Sequence, residues 1–172
     1  IEHDPLSYSG RIVSFQQGTP IVIAALSYIF NAETSTISKV LPPVIGLLSL
    51  LFFYLLTFKI YNNRKIANLA SLLLAISPPF LFTFYTANPY FMPIMFTLLG
   101  LCLLFYRRFL FASLSFILLA FFGTVFSLIG LALFMINAIL RKDSKKYFLT
   151  SLALSIVLLI ALNIPLLLSY GL

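Results

Sequence analysis

The chain has 172 residues, 62% of them apolar and only 9% charged, with a formal net charge of +7 and a mean hydropathy of +1.10. That balance lies far outside the range of soluble globular domains and predicts an integral membrane protein. The positive charge does not point to nucleic acid, because the basic residues stand in short clusters between apolar runs, as topology signals do. A single cysteine, Cys102, excludes a disulfide within the chain and reads as a small apolar packing residue.

Between its charges the chain carries neutral stretches at 40–58, 66–106, 109–140 and 147–172. A helix needs roughly 20 mostly apolar residues to cross a bilayer core of about 30 Å. Only helices or closed barrels satisfy every backbone polar group in lipid. Barrel strands would read as roughly ten-residue alternating segments, and these Leu/Ile/Phe runs do not alternate. The expected fold class is therefore all-α, a polytopic transmembrane helix bundle with short interfacial helices in an extracytoplasmic loop. Nine of the eleven Lys and Arg residues fall in three clusters: Lys59, Arg64 and Lys65; Arg107 and Arg108; Arg141, Lys142, Lys145 and Lys146. The positive-inside tendency puts all three on the cytoplasmic face.

In chain order, residues 1–39 are then expected outside, as an extracytoplasmic loop with juxtamembrane helices. They hold three of the four acids, Glu2, Asp4 and Glu33, against Arg11 and Lys39. The ten residues 21–30, nine of them apolar, are too few to span and suit a helix lying at the interface. Thr34, Ser35 and Thr36 are candidate caps for the next helix. Residues 40–172 form the bundle: 40–58 runs inward, 66–84 outward, and 91–106 inward after a turn at Thr86-Ala87-Asn88-Pro89-Tyr90. Basic clusters flank 109–140 on both sides, so this run crosses an even number of times. Two short helices, 109–121 and 125–140, breaking at Phe122-Gly123-Thr124, satisfy that; a single long helix would leave one basic cluster outside. Residues 147–169 cross outward, with a kink expected at Asn163 and Pro165.

The membrane runs hold no Asp, Glu, Lys, Arg or His, whereas transporters and proton pumps usually place charge at membrane depth. Asn68, Asn88, Asn137 and Asn163 could meet a polar substrate or simply bond neighbouring helices. Reactive groups gather instead in Glu2-His3-Asp4-Pro5-Leu6-Ser7-Tyr8-Ser9-Gly10-Arg11. Two carboxylates separated by one residue can share a metal or leave one free as general base. His3 adds a second base and Arg11 an anion-binding fork. On a helix starting at Pro5, Asp4, Tyr8 and Arg11 share one face. The plainer reading is a helix start, with Asp4 at the N-cap, Pro5 at the first position and Arg11 a headgroup anchor.

After the E-x-D motif come Pro-x-x-Tyr-x-x-Arg (residues 5–11), Gly18-Thr19-Pro20, and a short interfacial helix ending near Ile29-Phe30. A span closing on Tyr61-Asn62-Asn63-Arg64-Lys65 follows, then one opening with Ile66-Ala67-Asn68-Leu69-Ala70 and leading to Ser77-Pro78. This order resembles the N-terminal half of polytopic GT-C glycosyltransferases, the superfamily of protein mannosyltransferases, arabinosyltransferases and oligosaccharyltransferase catalytic subunits. The resemblance is one of layout over most of residues 1–140. It implies transfer of a sugar from a polyprenyl-phosphate-linked donor to an acceptor on the extracytoplasmic side. Asp4 would be the catalytic base, with Glu2 its partner, while Arg11, Tyr8 and His3 would meet substrate. In metal-dependent members a divalent ion, magnesium or manganese, would rest on Asp4.

That family carries a transmembrane helix before its acidic loop, so an apolar run upstream of Ile1 and a longer parent chain are expected. The partners implied are membrane lipid, the lipid-linked donor, and the rest of the chain or other membrane subunits, in the plasma or endoplasmic reticulum membrane. Two further readings stay open. A non-catalytic membrane scaffold subunit would lose nothing but stability on removal of Glu2 and Asp4, and a small transporter module would give flux across liposomes.

Overall fold

The computed structural model describes residues 18–86, 88–122, 124–140 and 145–169. Among these every regular element is a helix: α1 (Gly18–Phe30), α2 (Thr34–Tyr61), α3 (Arg64–Ala75), α4 (Pro78–Tyr85), α5 (Phe91–Phe105), α6 (Phe109–Phe122), α7 (Thr124–Leu140) and α8 (Lys145–Ser169). The all-α expectation is met. One of them, α2, is by itself long and apolar enough to cross a membrane, with a mean hydropathy of 2.1 over its best window.

Three boundaries differ from those expected. Helix α1 begins at Gly18 rather than at residue 21, and α2 begins at Thr34 rather than at residue 40. Helix α2 therefore carries Lys39 in its second turn and continues through Pro42 and Pro43. Its N-cap is Glu33, whose carbonyl accepts from Thr36 and Ile37; none of Thr34, Ser35 and Thr36 caps it. Ser35 instead donates its hydroxyl to the Glu33 carboxylate at 3.1 Å. The third difference is the expected span 66–84, which is two helices bent by 63°. Pro78 disfavours the helical backbone at the residue before it, and Ser77 is extended at φ −69°, ψ 130°, whereas the residues before Pro43 and Pro93 stay helical. Asn163 and Pro165 lie within the continuous helix α8.

The turns are short because their residues tolerate what a sharp reversal demands. Asn62 ends α2 in the left-handed region, φ 50°, donating its N–H to Phe58 O. Asn63 then caps α3, its side chain accepting from Lys65 and Ile66 N–H. Asn31 closes α1 in the same left-handed way. Asn88 turns α4 into α5, its Oδ1 accepting the Tyr90 N–H at 3.1 Å.

Packing fixes the directions. Lys59 lies over the Tyr106 ring and Ile45 packs with Phe91, Met92 and Met95, so α2 and α5 run parallel. Helix α6 returns against α5, with Ser115 Oγ donating to Phe96 O at 2.8 Å. The α7 helix folds back on α6, where the Phe116 and Phe134 rings sit 5.5 Å apart. In one straight helix those residues would be separated by about 27 Å. The two-helix reading of 109–140 therefore holds. Helix α8 starts beside the start of α6, through Phe109 against Tyr147.

Phe116 is the centre of this packing. Fully buried, it lies against Gly100 of α5 and Gly130 of α7, where added Cβ atoms would come within 2.7 and 2.6 Å of its ring. The core divides into a cluster at the α4–α5 turn (Ile45, Phe84, Phe91, Met92, Met95, Phe122) and one around Phe116 (Leu104, Ala112, Leu119, Phe134).

Candidate functional site

The helix directions sort the turns to two ends. At one end lie the α2–α3 turn, the α5–α6 turn and the start of α8, and here stand Lys59, Arg64, Lys65, Arg107, Arg108 and Lys146. At the other end lie the α1–α2 turn, the α4–α5 turn and the break between α6 and α7. The clustering of cations on one end agrees with the expected arrangement of the basic loops.

The predicted site residues Glu2, His3, Asp4, Tyr8 and Arg11 lie outside the described residues. What is described is the point at which their segment joins the bundle. Gly18 is buried against the end of α6, and a Cβ there would stand 2.5 Å from Phe121 O. Thr19, 4% exposed, donates its hydroxyl to Pro89 O at 3.0 Å. These two residues thus fasten the start of α1 to the end of α6 and to the α4–α5 turn. The Gly18-Thr19-Pro20 triplet gains a physical reason: the glycine admits close backbone approach, and the threonine makes a link across 70 residues of sequence. Nothing local in the sequence names the partner of either residue.

The same end is recessed. Ile45 shares a buried cluster with Phe91, Met92 and Met95, and the Lys59 ammonium lies over the Tyr106 ring, which sets the register of α2 against α5 approximately. At that register, residues 34–43 of α2 extend past the start of α5, by about 15 Å at 1.5 Å per residue. The turn at 88–90 therefore lies below the outer end of α2, with Thr19, Asn88 and Tyr90 as its polar groups. Tyr90 is braced by Phe126 of α7, ring centroids 5.8 Å apart. Beside it, at the depth of Gly46, an apolar crevice of about 230 Å³ opens between α2 and the α3–α4 bend. Pro43, Leu50, Ala75, Phe80, Phe84 and Tyr85 are among its walls, so it suits hydrocarbon rather than a sugar ring.

Other polar groups in the bundle serve the backbone or packing. Ser49, Thr57 and Thr97 each donate to the carbonyl four residues earlier. Among the four asparagines singled out in sequence, Asn88 forms the turn described above and Asn68 is exposed. Among the described residues Glu33 is the one carboxylate, and no three His, Cys, Asp or Glu side chains come together as a metal site. Comparison with protein-family models, with curated proteins and with solved structures finds no match to this chain.

Proposed function

We propose that the chain is a polytopic membrane bundle with its basic turns in the cytoplasm, forming the embedded part of a GT-C-type glycosyltransferase. One observation carries the membrane placement: the outer surface is as apolar as the interior. Leu47 of α2 is 70% exposed, Ile139 of α7 69% and Val157 of α8 63%, and exposed leucines continue along α3 and α6. In water such a surface would be an aggregation liability; in lipid it is the expected exterior. The lengths fit if α5, α6 and α7, of 15, 14 and 17 residues, stop short of the outer boundary and leave the recess described above.

The enzymatic reading is supported by the acidic pattern of residues 2–4 together with the anchoring of Gly18 and Thr19. Gly18 and Thr19 lie at the end opposite the basic turns. In this reading the donor's lipid tail lies along the apolar exterior, its phosphate at the outer boundary and its sugar over the 88–90 turn. Asp4 takes the proton from the acceptor hydroxyl as that oxygen attacks the anomeric carbon. The bond to lipid phosphate breaks with inversion, and Arg11 meets the departing negative charge.

The test is turnover of a polyprenyl-phosphate sugar by the chain in its full-length context. Loss of a general base typically lowers the rate about 10²–10⁴-fold, and Asp4→Asn is expected within that range. Wild-type-like turnover in Asp4→Asn removes Asp4 from the mechanism. Flux across liposomes with no dependence on Asp4 would favour a transporter instead.

A further inference from the structure

The basic end of the bundle carries charge that the chain does not balance. Lys59 lies in the last turn of α2, Arg64 and Lys65 open α3, and Arg107 and Arg108 form the α5–α6 turn with Tyr106; all five cations are exposed. Glu33 stands at the opposite end of α2, about 39 Å from Lys59 along the helix, far beyond the ~8 Å screening length of physiological salt. The sequence adds Arg141, Lys142 and Asp143 between α7 and α8, which leaves that end strongly positive. Helix electrostatics explain only part of the placement: Lys59 suits the last turn of α2, whereas the cations in the first turn of α3 oppose its dipole.

Three of these cations are gathered at one place. The Lys59 ammonium lies 5.2 Å from the centroid of the Tyr106 ring, which ties the last turn of α2 to the α5–α6 turn. Arg107 follows in the left-handed region, φ 59°, an uncommon backbone for an arginine. It is held by its own N–H to Leu104 O at 3.1 Å and by that of Arg108 to Leu103 O at 2.9 Å. The reversal is so tight that both arginines fall outside the two helices, next to the ring that Lys59 covers. Phe105 and Tyr106 are themselves partly exposed, giving an apolar shelf at the turn that carries the two arginines.

We propose that Lys59, Arg107 and Arg108, around Tyr106, form a binding site for the phosphate-bearing headgroup of an anionic phospholipid. The proposal rests on the membrane placement given above. Charge complementarity selects the ligand: guanidinium groups fork onto phosphate oxygens, the shelf takes the glycerol and first methylenes, and a net negative headgroup supplies the missing charge. A zwitterionic lipid offers the same phosphate without that net charge.

The test uses purified full chain with lipids that differ only in headgroup. Native mass spectrometry in mixed phosphatidylglycerol and phosphatidylcholine should retain the anionic lipid at least about fivefold over the zwitterionic one, as expected for a single cation near the headgroups. The preference should fall below twofold in Lys59→Gln/Arg107→Gln/Arg108→Gln and persist in Arg64→Gln/Lys65→Gln. If the triple variant fails to fold, Arg108→Gln alone should still lower the ratio severalfold. Equal retention of the two lipids by the wild type, or an unchanged ratio in Arg108→Gln and the triple variant, overturns the proposal. So does equal thermal stabilisation by inorganic phosphate in lipid-free detergent, which would make the site one for free phosphate. Those failures leave the membrane placement standing, whereas a chain recovered in the soluble fraction without detergent would overturn both.

Discussion

The glycine pair around Phe116 allows a quantitative test of the packing. In Gly130→Ala the new methyl would start 2.6 Å from Phe116 Cδ1 and 2.8 Å from Leu119 Cδ1, against about 3.5–4.0 Å for carbon atoms at optimal contact. The ring cannot simply retreat, because Gly100 lies close enough that its own Cβ would meet Phe116 Cζ at 2.7 Å. Roughly 1 Å of helix displacement is then needed, and overpacking of this kind costs about 1–3 kcal/mol. Phe116→Ala removes the ring and leaves a space of about 100 Å³, which at about 24 cal/mol per Å³ costs about 2.4 kcal/mol. That figure omits the transfer from water, which adds little where lipid is the alternative.

In the double variant the methyl introduced by Gly130→Ala enters the vacated space, so adding that substitution to Phe116→Ala should cost nearly nothing. The coupling between the two positions should be about 1–3 kcal/mol. Loss of helical circular dichroism on titrating detergent micelles with a denaturing detergent measures all four forms of the cycle. Strict additivity, or a Gly130→Ala variant as stable as wild type, would refute the clamped-ring account.

The α3–α4 bend depends on the prolines after Ser77. Pro78→Ala/Pro79→Ala should let α3 and α4 merge, lengthening the distance between spin labels at the two ends from about 26 Å to about 33 Å by helix geometry; an unchanged distance would show that packing against α2 holds the bend. With Cys102 buried, Arg107→Cys and Pro89→Cys should react with an impermeant maleimide from opposite sides of the membrane, and labelling from the same side would end the proposed topology. Thr19→Val deletes the hydroxyl link to Pro89 and should destabilise by about 0.5–1.5 kcal/mol. Gly18→Ala, which drives a methyl into Phe121 O, should cost more in the same unfolding assay. If both are neutral, α1 is not fastened as described.

Much of the bundle is readable in sequence because the signals are local. Uninterrupted apolar runs specify helices, asparagines that tolerate the left-handed region mark turns at 31 and 62, and clustered cations mark one end. The errors share a cause: span limits read from charge locate where a lysine stands, not where the backbone stops being helical. Lys39 bounds the neutral run 40–58, yet it stands inside a helix that begins at Thr34, among the cap candidates, and runs on through two prolines. The same habit hid the break at Ser77, where no charge intervenes and only the backbone restriction before Pro78 acts.

By itself the sequence determined that the chain is helical and largely apolar, that its cations gather at three turns, and that its reactive groups gather in residues 2–11. Basic clusters at both ends of 109–140 already pointed to a reversal there; tertiary structure alone decided what holds it, Phe116 fitting between glycines 30 residues apart. Likewise, only packing brings Thr19 to Pro89 and Lys59 to Tyr106. A hydrogen bond or a ring contact between distant residues leaves no periodic trace in the chain, and it exists only once the helices between them have found their directions.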